Sequence, residues 1–238
     1  MARLARVVAV GLPHHITQRG NGRRDIFLTD ALRQTYLDLL KREAEYHRLR
    51  ILAYCLMTNH LHLVAVPETE RSMSGALRHT HGRFAQHWNT VQRSVGHMWQ
   101  NRYYSCALQP ARVWPVIRYV ELNPVRAAIV QEAAAYPWSS ANAHATGHDP
   151  SELLDMNWWR REWPRGNWIN ALDAGFDHSH ADAIRRATYT GRPFGDNNFI
   201  AGLESRLGRK LAPRIGGRPR KQTASLDIPM VFGMESGA

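Results

Sequence analysis

The chain has few cysteines and no long apolar segment, and these shortages exclude several classes of protein. Its two cysteines, Cys55 and Cys106, lie in apolar or aromatic stretches and form no metal-binding spacing, which predicts buried, reduced thiols. No segment approaches the roughly 20 apolar residues of a membrane-spanning helix, and the apolar stretch at 7–12 is too short for the core of a signal peptide. We therefore expect a soluble, cytoplasmic protein without a membrane partner.

Lysine is also scarce, and arginine carries almost all of the positive charge. The 238-residue chain has 31 lysines and arginines against 20 acidic residues, a formal net charge of +11, yet Lys41, Lys210 and Lys221 are its only lysines. The arginine guanidinium matches phosphate geometry and stacks on bases, so the excess predicts nucleic acid as the partner. A coding bias toward arginine accounts for the choice of residue but not for the net charge.

Two histidines separated by one leucine are the most informative feature of the sequence. His60 and His62 lie in an apolar run, and alternate residues of a strand share one face. Both imidazoles then point the same way, while Leu61 and Leu63 can enter a core. Two imidazoles on one face are half of a metal site. With 13 histidines in the chain, the pair alone is weak evidence, and one packed and one solvated histidine is the alternative.

A second segment predicts a helix that ends at Pro124, because its apolar residues recur at helical spacing from Val113 onward. Tyr119 and Asn123 are four residues apart and would lie one turn from each other on one face. A tyrosine hydroxyl can act as a nucleophile, and an amide oxygen can complete a metal site begun by two histidines. Taken singly, Tyr119 could instead be a packed tyrosine and Asn123 a helix cap.

Other residues of the same types are weaker candidates. Tyr103 and Tyr104 are rival nucleophiles, but they alternate on a predicted strand and neither has an amide at helical spacing. Two further histidines, His79 and His81, lie on a predicted helix and point apart, so they form no second site. We expect surface or loop positions for five of the other histidines: His14, His15, His79, His81 and His97.

Together these segments resemble the single-tyrosine HUH transposases, and most of all the REP-associated tyrosine transposases. That family carries a His-hydrophobic-His strand and a helix with Tyr four residues before Asn, followed by Pro-Val. Similar segments also occur at 18–21, 56–59, 99–103 and 136–140, so the resemblance covers about residues 10–147. The residues that match the family motifs are His60, Leu61, His62, Tyr119, Asn123, Pro124 and Val125.

The order of predicted elements is β-α-β-β-α-β followed by the tyrosine helix. This order indicates an α+β, ferredoxin-like fold with an antiparallel sheet, and the resemblance implies the same core. We expect a transposase domain over residues 1–147, a mostly helical, basic DNA-binding extension over 148–221, and a loosely ordered tail over 222–238. The predicted strands cover 14–19, 50–57, 60–66 and 102–109, and the helices between them cover 30–47 and 72–90.

The resemblance implies a metal-dependent endonuclease and strand transferase that acts on single-stranded DNA beside REP-like hairpins. Tyr119 would attack the phosphorus and form a 5′-phosphotyrosine bond. His60, His62 and the Asn123 oxygen would hold a divalent ion, and this mixed nitrogen and oxygen ligation suits Mg²⁺ or Mn²⁺ better than a closed structural Zn²⁺ site. Such proteins act as monomers or homodimers, and the sequence does not decide between the two.

Recognition of DNA would depend on arginines away from the histidines. A turn at 20–22 presents Arg19, Arg23 and Arg24, and Arg102 lies in a second motif. Near the end of the chain, Gly-Arg-Pro at 217–219 resembles the core of an AT-hook, which places arginine in a narrow minor groove. Arg218 and Arg220 are its candidate contacts, and a solvated basic tail is the alternative.

Two other functions remain open at this point. The first is a DNA- or RNA-binding regulator that keeps the fold without the chemistry. The second is a replication initiator or relaxase of the plasmid type with the same chemistry, but such proteins usually bring long accessory domains for which 238 residues leave no room.

Overall fold

The computed structural model describes residues 6–163, 166–174 and 178–212, and there the predicted order of strands and helices is confirmed. The antiparallel sheet has the strand order β2-β3-β1-β4, which is the ferredoxin-like arrangement. Its strands are β1 (His14–Arg19), β2 (Leu49–Leu56), β3 (His60–Pro67) and β4 (Tyr104–Ala107). The connecting helices are α1 (Asp30–Tyr46), between β1 and β2, and α2 (Ser72–Val91), between β3 and β4.

Further helices follow β4. They are α3 (Val113–Glu121), α4 (Asn123–Arg126), α5 (Ala141–Thr146), α6 (Met156–Glu162), α7 (Trp168–Asp173), α8 (His178–Thr190) and α9 (Asn197–Leu207). Within the part of the chain that the structure describes, no helix combines the length and apolarity that a membrane span requires.

The two faces of the sheet carry different helices, and strand alternation decides which residues face which layer. Thr17 of β1 lines a cleft with Tyr119 of α3 and Thr188 of α8. Its neighbour Gln18 points the other way and lines a second groove with residues of α2 such as Leu77. The molecule therefore has three layers, with α1 and α2 on one face of the sheet and α3 and α8 on the other.

Aromatic and aliphatic packing holds the first helical layer in place. Helix α1 begins after Thr29, whose hydroxyl accepts a hydrogen bond from the Leu32 amide at 3.3 Å. Tyr36, on the buried side of α1, packs edge-on against Phe27 and against Phe84 of α2. Burying side chains of this size stabilises the fold by about 1.5–3 kcal/mol each.

Pro124 does not end helical structure, contrary to the prediction. Helix α3 stops at Glu121, and Pro124 then occupies the first turn of α4. Proline fits there because the first amides of a helix have no intrahelical partner to lose. Tyr119 and Asn123 consequently belong to two consecutive helices, although the side chain of Asn123 still reaches back to the carbonyl of Tyr119 at 2.9 Å.

A buried carboxylate anchors α3 from behind. Glu121 is fully buried and accepts hydrogen bonds from Ser140 at 2.5 Å, His144 at 2.6 Å and Trp168 at 2.7 Å. The imidazole of His144 also stacks on the Trp159 ring. The tryptophans that follow residue 150 thus serve packing. The ring contacts join Trp114, Trp158, Trp159, Trp163 and Trp168.

Residues beyond 147 share the core of the sheet. Leu154 forms a bridge to Ile51 of β2, and the amide of Asp155 donates to the carbonyl of Ile51 at 2.8 Å. Ile184 of α8 belongs to the same buried cluster. The two cysteines are buried free thiols in β2 and β4, as predicted. The candidate AT-hook residues Arg218 and Arg220 lie outside the described residues.

Candidate active site

The residues predicted to form the active site line one cleft of about 220 Å³ between the sheet, α3 and α8. Strand β3 contributes His60 and His62, α3 contributes Tyr119, and α4 contributes Asn123. Arg19, at the end of β1, lines the same cleft. The sequence did not single out several other lining residues, including His15, Arg126, Arg185, Thr188 and Tyr189.

His60 is held in one tautomer by its neighbour in the chain. Its Nδ1 atom lies 2.6 Å from Oδ1 of Asn59, while Nδ2 of Asn59 donates to the carbonyl of Arg23 at 3.2 Å. An amide oxygen only accepts hydrogen bonds, so Nδ1 of His60 carries the proton. The lone pair of a neutral His60 is then on Nε2, the nitrogen that a metal ion can use.

His62 is held in the same tautomer by a relay that ends on α8. The hydroxyl of Thr188 donates its proton to the carbonyl of Ile184 at 2.8 Å, so its oxygen accepts from Nδ1 of His15 at 2.7 Å. Nε2 of His15 is therefore an acceptor, and it lies 2.9 Å from Nδ1 of His62. His62 donates through Nδ1 and keeps its lone pair on Nε2.

Burial keeps these imidazoles neutral. It lowers the pKa of His60 to about 4, and the charges of Arg19, Arg126 and Arg185 act in the same direction. Burial likewise lowers the pKa of His62 well below its usual value, with the neighbouring imidazoles adding to the effect. Burial and then Arg126 lower the pKa of His15 to about 3. All three rings are neutral at pH 7, which is the state that metal ligation requires.

Tyr119 lies against both ends of the histidine relay. Its ring meets those of His62 and His15 edge-on, each with a centroid separation of 5.6 Å. The Arg126 guanidinium lies 4.2 Å from the centroid of the Tyr119 ring. Burial lowers the pKa of Arg185, but its hydrogen bond to Tyr119 and its contacts with Asp182 outweigh that effect and leave the pKa raised. Two guanidinium groups therefore flank the tyrosine.

Asn123 acts as a helix cap in this structure and also faces the cleft. Its Nδ2 donates to the carbonyls of Tyr119 at 2.9 Å and Val120 at 3.0 Å, which satisfies the end of α3. Its Oδ1 accepts from Nη2 of Arg126 at 2.6 Å. An amide oxygen has two lone pairs. One accepts the hydrogen bond from Arg126, and the second remains for another partner.

This arrangement of strand histidines, tyrosine and amide coincides with a match to a known family. The family model of IS200-like transposases matches residues 9–123, a segment that begins before β1 and ends at the amide of the cleft. The matched segment, which includes the strand histidines, the tyrosine and the amide, is therefore similar to the IS200-like transposases. No curated protein matches the chain.

The fold resembles that of a solved transposase structure. A REP-associated tyrosine transposase bound to a REP hairpin is 18% identical; the alignment covers 70% of this chain and 93% of that one, with a TM-score of 0.53. A second structure, described as a transposase of Deinococcus radiodurans R1, is 16% identical and has a TM-score of 0.36 over 50% of this chain and 96% of that one. The first comparison establishes a common fold for the aligned part of this chain.

The predicted DNA-binding arginines within the described residues do not gather in one place. Arg19 lines the cleft, whereas Arg102 lines the groove on the opposite face with Tyr103 and Trp99. Arg23 and Arg24 are exposed on the turn between β1 and α1. The arginines thus border the sheet on both faces.

Three histidines that we placed in loops or on the surface are buried, so this expectation is wrong for them. His14 and His15 lie on β1, and His81 lies on α2 against Tyr36, whose hydroxyl is 3.0 Å from Nε2 of His81. His79 and His81 do point apart, as expected. The alternation of His15, Thr17 and Arg19 along β1 could have predicted that these three residues face the cleft. No local sequence pattern predicts that Thr188 or Arg185 does so.

The rival tyrosines take other positions. Tyr103 is buried beside the Arg6 guanidinium, which lies 3.7 Å from its ring centroid, on the side of the sheet away from the cleft. Tyr104 meets Tyr189 of α8 at a centroid distance of 5.0 Å. Tyr189 itself lines the cleft and is half exposed, which makes it a second tyrosine to test in this protein.

Proposed function

We propose that this chain is a metal-dependent single-stranded DNA endonuclease and strand transferase whose nucleophile is Tyr119. The convergence of His60, His62, Tyr119 and Asn123 in one cleft carries the proposal. The match of residues 9–123 to the model of IS200-like transposases supports a DNA-cutting and DNA-joining activity. Residues 1–147 would hold the catalytic centre, and the basic residues of 148–221 would assist DNA binding.

The donor atoms of the cleft fit a divalent cation. His60 and His62 both keep an Nε2 lone pair because their Nδ1 atoms are engaged. Asn123 would add its Oδ1 as a third ligand. Arg126 already donates a hydrogen bond to this oxygen, so the ion would either displace that bond or bind beside it. A bound Mg²⁺ or Mn²⁺ would supply Lewis-acid polarisation of the scissile phosphate.

Tyr119 would form the covalent bond to DNA. Its Oη would attack the phosphorus, the bond from phosphorus to the 3′ oxygen would break, and the phenol proton would leave as the 3′ oxygen gains one. The products are a 5′-phosphotyrosine and a free 3′-OH, so the stored ester can be passed to another strand. Arg185 and Arg126 flank the tyrosine and would bind the phosphoryl oxygens.

The substrate we infer is single-stranded DNA next to a REP-like hairpin. A structure with the same fold holds a REP hairpin, and the net charge of +11 favours a polyanion. Arg19 lines the same cleft as the reacting groups, and the exposed Arg23 and Arg24 and the groove residue Arg102 would hold flanking phosphates. Arg218 and Arg220 would extend this contact as an AT-hook-like segment. The protein would act as a monomer or a homodimer.

A cleavage assay on labelled single-stranded hairpins from repeats flanking the gene tests the proposal. Wild type should give a metal-dependent, protein-linked 5′ product under denaturing conditions in Mg²⁺ or Mn²⁺. Tyr119→Phe should give none, because the variant keeps the ring packing but lacks the attacking oxygen. Tyr189→Phe is the matched control, since it removes the other tyrosine hydroxyl of the cleft.

Two outcomes would overturn this assignment. A linked product from Tyr119→Phe but not from Tyr189→Phe would move the nucleophile to α8. Hairpin binding without a linked product, across metals and substrates, would instead favour a regulator that keeps the fold. The burial of Tyr119, which is 2% exposed, is consistent with that function.

A further inference from the structure

A second cluster of metal-ligating side chains lies in the other helical layer. Glu43 and His47, near the end of α1, face His79 of α2. We call these three residues the interhelical triad. Because α1 and α2 cover the face of the sheet opposite the cleft, the triad is separate from His60 and His62, and metal binding there is independent of the proposed function.

The donor atoms of the triad are spaced for one small cation. Nε2 of His47 lies 2.9 Å from Nδ1 of His79. Oε2 of Glu43 lies 3.8 Å from Nε2 of His47 and 3.6 Å from Nδ1 of His79. The circle through these three atoms has a radius of about 2.0 Å, so one point lies within reach of all three donors at the length of a zinc bond, about 2.0–2.2 Å.

The carboxylate of Glu43 is divided between two kinds of partner. Its Oε1 accepts a hydrogen bond from Nε of Arg42 at 3.2 Å and lies 3.7 Å from Nε of Arg83. Among the described residues, the ion pairs of its Oε2 involve only the two histidines. The arginines therefore fix the orientation of a nearly buried carboxylate and leave its second oxygen turned toward the imidazoles, as partners around a metal ligand do.

The backbone of α2 makes room for the His47 ring. A Cβ atom at Gly75 would lie only 2.4 Å from Nδ1 of His47. Glycine destabilises a helix interior by roughly 1 kcal/mol relative to alanine. At this position the missing side chain allows the His47 imidazole to lie directly against α2. The ring of His79 then stacks on that of His47 with a centroid separation of 5.1 Å.

We propose that the interhelical triad binds one Zn²⁺ ion and thereby joins α1 to α2. Two imidazoles and one carboxylate are a donor set that zinc takes in proteins, with water in the remaining position. His79 is partly exposed, so solvent can supply that fourth ligand. Imidazole donors favour zinc over Mg²⁺. The ion would replace the hydrogen bond between the imidazoles and stabilise the folded state by mass action.

Zinc stoichiometry on the full-length protein tests this site. Wild type, dialysed against Zn²⁺ and then against buffer, should retain one more equivalent than His79→Gln, whatever the cleft retains. His87→Gln is the matched control, because His87 is an exposed histidine on the same helix. Zn²⁺ should also raise the Tm of wild type and of His87→Gln more than that of His79→Gln.

Gly75→Ala supplies an independent variant, because it keeps all three ligands and displaces only the His47 ring. It should also lose one equivalent. Hairpin cleavage by His79→Gln should match wild type, which separates this site from the catalytic one. Equal zinc retention by wild type and His79→Gln would overturn the proposal, as would an equal loss in His87→Gln.

Discussion

Nε2 of His15 lies 2.9 Å from Nδ1 of His62, and this contact ties a residue of the first strand to a predicted metal ligand. The relay continues through Thr188, so α8 determines which nitrogen of His62 carries the proton. Orientation of a ligand by such partners commonly changes metal affinity by 10–100-fold. The relay therefore gives the helix that follows the transposase family segment a role in the cleft.

Thr188→Val should weaken Mn²⁺ binding by roughly 10–100-fold. The substitution keeps the shape of the side chain but removes the acceptor of the His15 proton, so His62 is no longer held in one tautomer. Titration calorimetry on the full chain measures the effect, and circular dichroism checks the fold. Thr190→Val is the control, because the Thr190 hydroxyl bonds only to its own helix. Equal affinities for the two variants would show that the relay does not control the metal site.

Arg185→Gln should slow single-turnover cleavage by roughly ten- to a hundredfold, as expected for a lost donor to a reacting phosphate. Arg186→Gln removes the same charge from the next, exposed position of α8, so both variants lose general attraction for DNA equally. The ratio of their cleavage rates at saturating hairpin is the measurement. Identical rates would mean that Arg185 contributes only to binding.

Glu121→Ala should lower the free energy of unfolding by about 3–5 kcal/mol, since it leaves buried donors without their acceptor. Those donors belong to Ser140, His144 and Trp168. Urea unfolding, compared with the exposed Glu132→Ala, gives the difference. A loss no larger than that of Glu132→Ala would contradict the anchoring role of this carboxylate.

Stability should fall as the pH drops below about 6.5. Burial lowers the pKa of His14 to about 4, and burial followed by the charge of Arg6 lowers the pKa of His81 to about 3. Between these values and the ordinary pKa the unfolded chain binds more protons, at a cost of up to about 1.4 kcal/mol per pH unit for each histidine. Urea midpoints from pH 7.5 to 4 measure the slope.

The contribution of His81 to this slope can be isolated. His81→Gln should flatten the loss of stability between pH 6 and pH 4, because the variant has no imidazole to protonate at this position. His87→Gln, at an exposed position of the same helix, should follow the wild-type slope. Parallel slopes for both variants would place the acid sensitivity elsewhere.

Removing residues 212–238 should weaken DNA binding and reduce its salt dependence, while cleavage at saturating hairpin stays intact. The segment carries Arg214, Arg218, Arg220 and Lys221, and each lost phosphate contact lowers the salt slope by about 0.7–0.9. Binding measured at several salt concentrations gives the slope. If the truncated chain binds DNA more weakly but an Arg218→Gln/Arg220→Gln variant binds like wild type, the segment acts as a general basic tail and not as an AT-hook.

Local patterns predicted the strands and helices of the transposase domain and brought its principal candidates together. Alternation placed His60 and His62 on one face, and the four-residue spacing brought Asn123 back to Tyr119 even though Pro124 starts a new helix. The spacing succeeded there because α4 continues almost directly from α3. Strand β4 is shorter than predicted, and Tyr103, just before it, packs beside Arg6.

The remaining features depend on contacts between distant residues, which periodicity does not report. A buried histidine and a surface histidine look alike in a strand pattern, so His15 was assigned to the wrong class. Thr188 and Arg185 reach the cleft only because α8 packs on β1, β4 and α3. The interhelical triad likewise needs α1 and α2 to meet, and neither helix alone marks it.

The contact between His15 and Thr188 joins residues 173 positions apart, which makes it one of the last parts of the cleft that a growing chain can complete. During synthesis the sheet and the tyrosine helix leave the ribosome first, with the His62 ring still free to adopt either tautomer. The proposed metal site would then reach its full affinity only after α8 has folded onto the sheet. Under the proposed function, a nascent or truncated chain that lacks α8 would therefore bind the metal weakly and cut DNA slowly, and cleavage would begin only after α8 has been synthesised.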